Sequence, residues 1–473
     1  MFEFDLSDHE YEHIHFIGIG GISMSGLAEI LLNTGYKVTG TDSKNSPIIN
    51  RLTNLGAHIY IGHSKKNIEG ADLIIYTDAI SSDNEELVAA KNSDVPSIDR
   101  ATFLGALMRN YKYSIAVSGT HGKTTTTSMI ATITNHGALD PTVLLGGILD
   151  EIGGNVKLGS KDYILTEACE YKANILKYFP TMAIILNIDE DHLDYFRDMD
   201  HIIETFSKYG NNLKPDSYLI INNDDVHSKD VIKRTNAKVI TFGINNDSNY
   251  SAKNISYSKE GYSSFILNIN GKENWPVKLN VIGKHNVYNA LASIAAAHIY
   301  GVSMEDILRN ISTYTGVHRR LELKGYFNGA KIIDDYAHHP TEIKATLEAV
   351  KNSYNGNGKI YCIFQPHTFT RTKILLHNFS ESFANASQVI ITDIYAAREY
   401  DNGEIHSKNL VDAINEKTSN AIYIPSFEET EDYLIHNITS NDIILTMGAG
   451  NVYLVGESLL NNTKENRQKK AAV

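Results

Sequence analysis

The spacing of apolar and polar positions changes several times along the chain, and the changes divide it into blocks. Over residues 13–92 short apolar runs alternate with helical patterns. HIHFIGI (13–19) reads as a strand, followed by a glycine turn and a helix over about 24–34. Strands are expected near 36–40 (YKVTG) and 72–76 (DLIIY), with a helix near 83–92. Strands that alternate with helices imply a parallel sheet covered by helices. Residues 105–112 look like a seam into a second unit.

That unit opens with a buried strand at 113–117, a loop at 119–123 and a helix ending near Gly137. Strands follow at 162–166 (DYILT) and 182–188 (MAIILNI). At 262–282 the pattern changes to period two around Asn270-Gly271, the mark of an antiparallel hairpin added to a parallel sheet. A helix is expected over about 285–300. From about 317 the strand–helix alternation restarts, with strands near 330–333, 359–364, 388–393, 420–424 and 442–447, a second doubly wound sheet.

Length and charge narrow the picture. A chain of 473 residues exceeds one ordinary core, so two or three domains are expected. The formal net charge of −13 disfavours nucleic acid or an anionic membrane as partner. Cys169 and Cys362, far apart, read as free thiols in a reducing compartment. The start carries Glu3, Asp5, Asp8, Glu10 and Glu12, the opposite of a basic signal-peptide head. No apolar run approaches the ~20 residues a membrane helix needs. A cytoplasmic protein is expected.

The chemistry concentrates in SIAVSGTHGKTTTT (114–127). An apolar strand runs into Gly119, Thr120, His121, Gly122 and Lys123, and threonines 124–127 open a helix. Glycines let backbone N–H groups converge on an anion, and a helix N-terminus adds about 0.3–2 kcal/mol. That is too little to hold a triphosphate, so Lys123 must supply full charge and the Thr124 hydroxyl can ligate Mg²⁺. The bland alternative is a glycine-rich turn with a threonine-rich cap. Two further candidates sit at strand ends, where ligands gather in open α/β sheets. Glu167 follows the strand at 162–166, and Asp189, Asp191 and His192 follow the one at 182–188. Alone, Glu167 reads equally as a surface carboxylate and His192 as a helix cap; their shared edge favours a nucleotide–metal site.

These residues, in this order, resemble the Mur ligases, which build the stem peptide of peptidoglycan. The resemblance is carried by GTHGKTTT (119–126), TEA (166–168), NIDEDHLDYF (187–196), GKHNVYNALASIAAA (283–297), HRRLE (318–322), DDYAHHPTEI (334–343) and FQPHTFTRT (364–372). It implies an α/β protein of three domains: an N-terminal Rossmann-like UDP-sugar-binding domain (1–110), a central phosphate-loop ATPase-type domain with a small antiparallel addition (111–316), and a C-terminal Rossmann-like domain (317–473) that closes over nucleotide and amino acid.

The resemblance also implies roles. ATP would be held by Gly119 to Thr125, by His285 and Asn289 at adenine, by Arg320 at the phosphates and by Asp335 at the ribose. Thr124, Glu167 and His192 would hold Mg²⁺, or Mn²⁺. Tyr336, His338, His367 and Arg371 would hold the amino acid and acyl phosphate, with His338 or His192 as base. HIHFIGIGGISMSGLAEIL (13–31) is most similar to the branch that joins L-alanine to UDP-N-acetylmuramate, its Gly18, Gly20, Gly21 and Ser23 cradling a diphosphate. Asp42 is a ribose or sugar contact, or else a strand-end cap. As a dinucleotide fingerprint the same turn is damaged at Ser23, so NAD is disfavoured. Branches that add later residues carry a carbamylated lysine where Phe206 stands here, which favours the alanine-adding branch. The resemblance implies a monomer or homodimer. Competing readings are a murein tripeptide recycling ligase, a folylpolyglutamate synthase-like ligase and, more distantly, a phosphate-loop ATPase.

Overall fold

The computed structural model describes residues 2–8, 10–135, 139–354, 358–397 and 399–471, with side chains to 462. Three sheets follow one another along the chain. The first has five parallel strands in the spatial order His58–Ile61, Lys37–Asp42, His13–Ile17, Leu73–Tyr76, Ser97–Asp99. Its strand order reverses beside the fully buried His13–Ile17, so the glycine turn leaves the sheet at the switch point, where such sheets bind ligands. The helix Ile22–Asn33 follows this turn.

The second sheet has ten strands. At its centre Tyr113–Ser118 lies between Met182–Ile185 and Ser160–Glu167, all parallel. Beyond these come Tyr218–Asn222 and Lys238–Gly243, and then an antiparallel end of Tyr250–Tyr257, Tyr262–Ile269 and Glu273–Ile282. Ile269 faces Glu273 across the expected turn, where Asn270 and Gly271 have φ of +53° and +70°. Both residue types tolerate that left-handed backbone, so the turn fixes the hairpin register. On the other side Pro141–Leu149 and Gly154–Lys157 form a second antiparallel edge that the sequence pattern did not mark.

The third sheet has the order Glu322–Phe327, Ala330–Asp335, Ile443–Met447, Ile360–Phe364, Gln388–Ile391, Ala421–Tyr423, parallel except for its first strand. The helix expected to reach Gly137 spans Lys123–Thr134; Gly137 itself lies outside the described residues. Phe206 is fully buried in the helix Met199–Asn211. Among the described residues no helix is long and apolar enough to cross a membrane.

The first half of the expected seam is helical. Residues 105–108 belong to the buried helix Arg100–Met108, which packs on the second sheet's domain. A Cβ on Gly105 would lie 2.2 Å from the Lys177 carbonyl oxygen, and Lys177 Nζ pairs with Asp99 at 2.8 Å. Gly105 is there for close approach, not for flexibility. Gly105→Ala should therefore overpack this junction, costing about 1–3 kcal/mol. Thermal denaturation should show a melting point lower by several degrees, and an unchanged one would refute the packing role.

Candidate active site

The phosphate loop follows the central strand of the ten-stranded sheet. Gly119 has φ +127°, and a Cβ there would meet Leu186 at 3.0 Å; Gly122 has φ +85°, and a Cβ would meet Asn289 Oδ1 at 2.6 Å. Side chains are excluded at both positions. Asn187 clamps the loop from the neighbouring strand end: its Oδ1 accepts the His121 N–H at 2.8 Å and its Nδ2 donates to the His121 carbonyl at 3.1 Å. No side chain caps the helix Lys123–Thr134, so its first N–H groups remain for an anion.

Lys123 Nζ donates to the carbonyls of Gly119 (2.5 Å) and Thr120 (2.9 Å) and pairs with both oxygens of Glu170 at 3.1 and 3.0 Å. Burial works against the ammonium, but Glu170 outweighs it and raises the pKa above the ordinary lysine value. Glu167 Oε1 accepts the Gly146 N–H at 2.6 Å and its Oε2 accepts the Thr124 hydroxyl at 3.1 Å. A hydroxyl and a carboxylate side by side are hard oxygen donors that suit Mg²⁺ or Mn²⁺, with phosphates and water completing the shell. His192, at φ +55°, turns elsewhere: its Nε2 lies 3.7 Å from Glu170 and 3.8 Å from Asp191.

Among the described residues the one compact group of three metal-type side chains is His121, Asp189 and His339. It is an ion-pair network instead. His121 Nδ1 faces Glu342 at 3.2 Å and its Nε2 faces Asp189 at 3.1 Å. Burial opposes its charge, but these two carboxylates raise its pKa to about 9, so at neutral pH an imidazolium is paired with both. His339 Nε2 bonds to the Glu190 carbonyl at 2.8 Å while its Nδ1 accepts from Thr341 N–H.

A cavity of about 310 Å³ between the second and third sheets brings Gly122, Thr125, His285, Asn289, Arg320 and Asp335 onto common walls. Burial lowers the His285 pKa to about 4, so it is neutral. Asn289 Oδ1 accepts from Thr126 at 3.3 Å and packs on Gly122, at the phosphate end of the cavity. The Asp335 carboxylate, raised by burial to about 6, accepts the N–H groups of Leu321 and Ala337 at 2.8 and 2.7 Å. It anchors the chain's entry into the third domain.

A second cavity, about 200 Å³, gathers Cys169, His192, Tyr336, His338, His367 and Arg371. Arg371 is already engaged, with Asp191 at 2.9 and 3.2 Å and His367 at 3.1 Å. His338 Nδ1 donates to the Tyr336 carbonyl at 3.0 Å, and burial pushes its pKa down to about 3 despite Glu342. It is therefore a poor general base at neutral pH, contrary to the sequence expectation.

A third cavity, about 370 Å³, sets Gly21, Ser23 and Arg100 of the first domain opposite Lys123, Gly146 and Glu167. Gly18 (φ +83°) shapes the turn, and a Cβ there would lie 2.6 Å from Thr77. Asp42 Oδ2 accepts the Gly20 N–H at 2.9 Å, which ties the turn to the second strand. Sequence reasoning missed Glu170, Gly146 and Arg100, and it gave no separate role to Asn187 and Glu342 within the motifs at 187–196 and 334–343.

Fold and site together define a three-domain, nucleotide-dependent enzyme with its phosphate loop in the middle domain. The chain belongs to the Mur ligase family: the descriptions "Mur ligase family, catalytic domain", "Mur ligase middle domain" and "Mur ligase, glutamate ligase domain" match residues 13–112, 117–297 and 319–450. It is 50% identical over 457 residues to a UDP-N-acetylmuramate–L-alanine ligase of Acetivibrio thermocellus, covering 96% of this chain and 97% of the relative. The enzyme of that name from Clostridium tetani is 52% identical over 447 residues, 94% and 97% of the two chains. The crystal structure of UDP-N-acetylmuramate-alanine ligase from Thermotoga maritima superposes with a TM-score of 0.82 at 30% identity, covering 96% of this chain and 99% of that one. A murein peptide ligase from Psychrobacter arcticus gives 0.73 at 25%, covering 95% and 98%.

The His121 network has a pH signature. Its folded pKa, about 9, exceeds the unfolded 6.5, so its stabilisation is complete below pH 6.5 and is lost as pH rises through 9. His121→Gln should remove a contribution on the order of 1–3 kcal/mol at pH 6, and the difference in melting point from wild type should shrink by pH 10. A pH-independent difference would refute the charged assignment.

Proposed function

We infer that this chain joins L-alanine to the carboxylate of UDP-N-acetylmuramate, driven by ATP cleavage to ADP and phosphate, in peptidoglycan precursor synthesis. The observation that carries the reading is identity near 50% over almost the whole chain to ligases of that name. The geometry supports it. Lys123 and Glu167 line the cavity behind the first domain's glycine turn, Gly122 lines the nucleotide cavity, and Cys169 lines both the glycine-turn cavity and the amino-acid cavity. Phe206, buried in the core, cannot carry a carbamate. The amino-acid cavity suits a small amino acid better than the tripeptide of a recycling ligase.

In this reading the acid's carboxylate oxygen attacks the γ-phosphorus in line, the bond to the β-phosphate oxygen breaks, and ADP leaves. Positioning and charge stabilisation do the work. Lys123 and Arg320 face the charge on the transferred group. Mg²⁺ held by Thr124 and Glu167 would neutralise the phosphates. The alanine nitrogen then attacks the acyl carbon and phosphate departs. Alanine attacks as the neutral amine, its ammonium proton having gone to water, and the proton lost as the amide forms passes to the departing phosphate oxygen. The carboxylate of alanine competes with Asp191 for Arg371. The third domain, docked through His339, Thr341 and Glu342, keeps water from the acyl phosphate.

Phosphate release assayed with ATP, Mg²⁺, UDP-N-acetylmuramate and a panel of amino acids should peak with L-alanine; preference for a tripeptide would overturn the substrate reading. Lys123→Ala should lose roughly 10³-fold or more in amide formation while UDP-N-acetylmuramate still binds. Substantial turnover by that variant would remove the phosphate-loop assignment.

A further inference from the structure

Glu170 contacts both halves of the reaction without lying on the wall of the three cavities described above. Its side chain is 3% exposed. One partner is Lys123 Nζ, at 3.0 and 3.1 Å, and Lys123 lines the cavity shared with the glycine turn, where the acid is activated. The other is His192 Nε2, 3.7 Å from Oε1, and His192 lines the amino-acid cavity. Cys169, immediately before Glu170, lines both spaces.

The local backbone is built to hold this carboxylate in place. Ala168 N–H is tied to the Val117 carbonyl at 2.8 Å, so the segment leaves its strand alongside the start of the phosphate loop. Lys172 and Ala173, just after Glu170, have φ of +53° and +56°, a conformation that residues with a Cβ adopt only when their surroundings impose it. An ammonium has three protons, and Lys123 spends them on Gly119, Thr120 and Glu170, so its nitrogen is fixed in position. A buried carboxylate in turn needs its cation, because uncompensated burial of charge is strongly unfavourable.

We propose that Glu170 is a positioning residue that fixes Lys123 beside His192, and so couples ATP cleavage to amide formation. It holds the lysine that faces the activated acid, and its own carboxylate lies 3.7 Å from the histidine that borders the incoming amine, so the acyl phosphate forms where the amine can reach it. Without that placement, phosphoryl transfer continues slowly, and water instead of the amine displaces phosphate from the acyl carbon, returning free acid. The inference rests on the proposed function.

Glu170→Gln keeps the side chain's shape and removes its charge; Glu170→Asp keeps the charge on a shorter stem. Both would be checked for native circular dichroism and for UDP-N-acetylmuramate binding. Wild type should release one phosphate per amide formed. Glu170→Gln should lose roughly 10–100-fold in kcat, change KM for ATP by no more than about threefold, and release more than one phosphate per amide. Glu170→Asp, which retains the counter-charge, should recover part of kcat and bring the ratio back towards one. Wild-type kcat and a ratio of one in Glu170→Gln would overturn the proposal. So would a fall in kcat with the ratio held at one, since Glu170 would then serve Lys123 alone. If Glu170→Gln does not fold, Glu170→Asp decides: a ratio of one at much reduced kcat overturns the coupling, and an intermediate excess of phosphate supports it. Failure of the wild-type protein to form the alanyl amide at all would instead refute the proposed function, independently of either variant.

Discussion

Three consecutive residues at the mouth of the middle sheet hold the third domain in place. Asp189 accepts the Thr341 hydroxyl at 2.6 Å and faces His121; the Glu190 carbonyl meets His339 at 2.8 Å; Asp191 binds Arg371 at 2.9 Å. The His121 imidazolium, itself part of the phosphate loop, lies between Asp189 of the middle domain and Glu342 of the third. Loop and closing domain therefore share one buried charge. A buried ion pair contributes little net stability relative to apolar packing, but losing either partner leaves an uncompensated charge, so such a network specifies one docking geometry. The nucleotide cavity exists because this docking exists, since its walls come from both domains.

The entry into the third domain obeys the same logic. Gly316 has φ +112°, as a turning point should, yet Arg319 and Leu321 also take positive φ, +63° and +49°. Surroundings impose this. The Arg319 guanidinium bonds to Asp334 at 3.1 Å and to the Gly448 carbonyl at 2.7 Å, and lies between the rings of Tyr336 and Tyr453. Leu321 N–H is held by Asp335. Residues 319–321 are thus fastened to the third domain. Strain here and at His192 sits where the domains meet, as expected when neighbouring contacts over-determine the backbone.

The sequence revealed the parts of this arrangement that are local. Strand, glycines, lysine and threonines lie within 114–127, and strong periodicity marks the central strands. Glu167 was singled out because strand ends collect ligands, and the structure places it beside Thr124. The edge strands His58–Ile61 and Glu322–Phe327 were not, being short segments without a buried apolar stripe. Within the expected seam at 105–112 the close packing of Gly105 was not legible, because its reason lies about 70 residues away at Lys177. The partners of Arg371 and His121 are separated from them by 180 and 221 residues, and such pairings leave no mark in spacing. The weak basicity of His338 depends on burial, which no motif encodes.

These pairings bear on how an acidic chain binds anionic substrates. Lys123 faces Glu170, His121 faces Asp189 and Glu342, Arg319 faces Asp334, and Arg371 faces Asp191. Every one of these cations already has a carboxylate within about hydrogen-bonding range. Arg320 apart, the cations of the site are therefore already paired, and a triphosphate entering it must share them with their present partners. Adding several negative charges to such a balanced site in a medium of low dielectric is unfavourable unless positive charge arrives with them. Thr124 and Glu167 offer oxygen donors at the one place where that charge would lie against both the loop and the acid's cavity. On the proposed function, this balance of internal ion pairs would make the nucleotide and a divalent cation a single ligand in electrostatic terms.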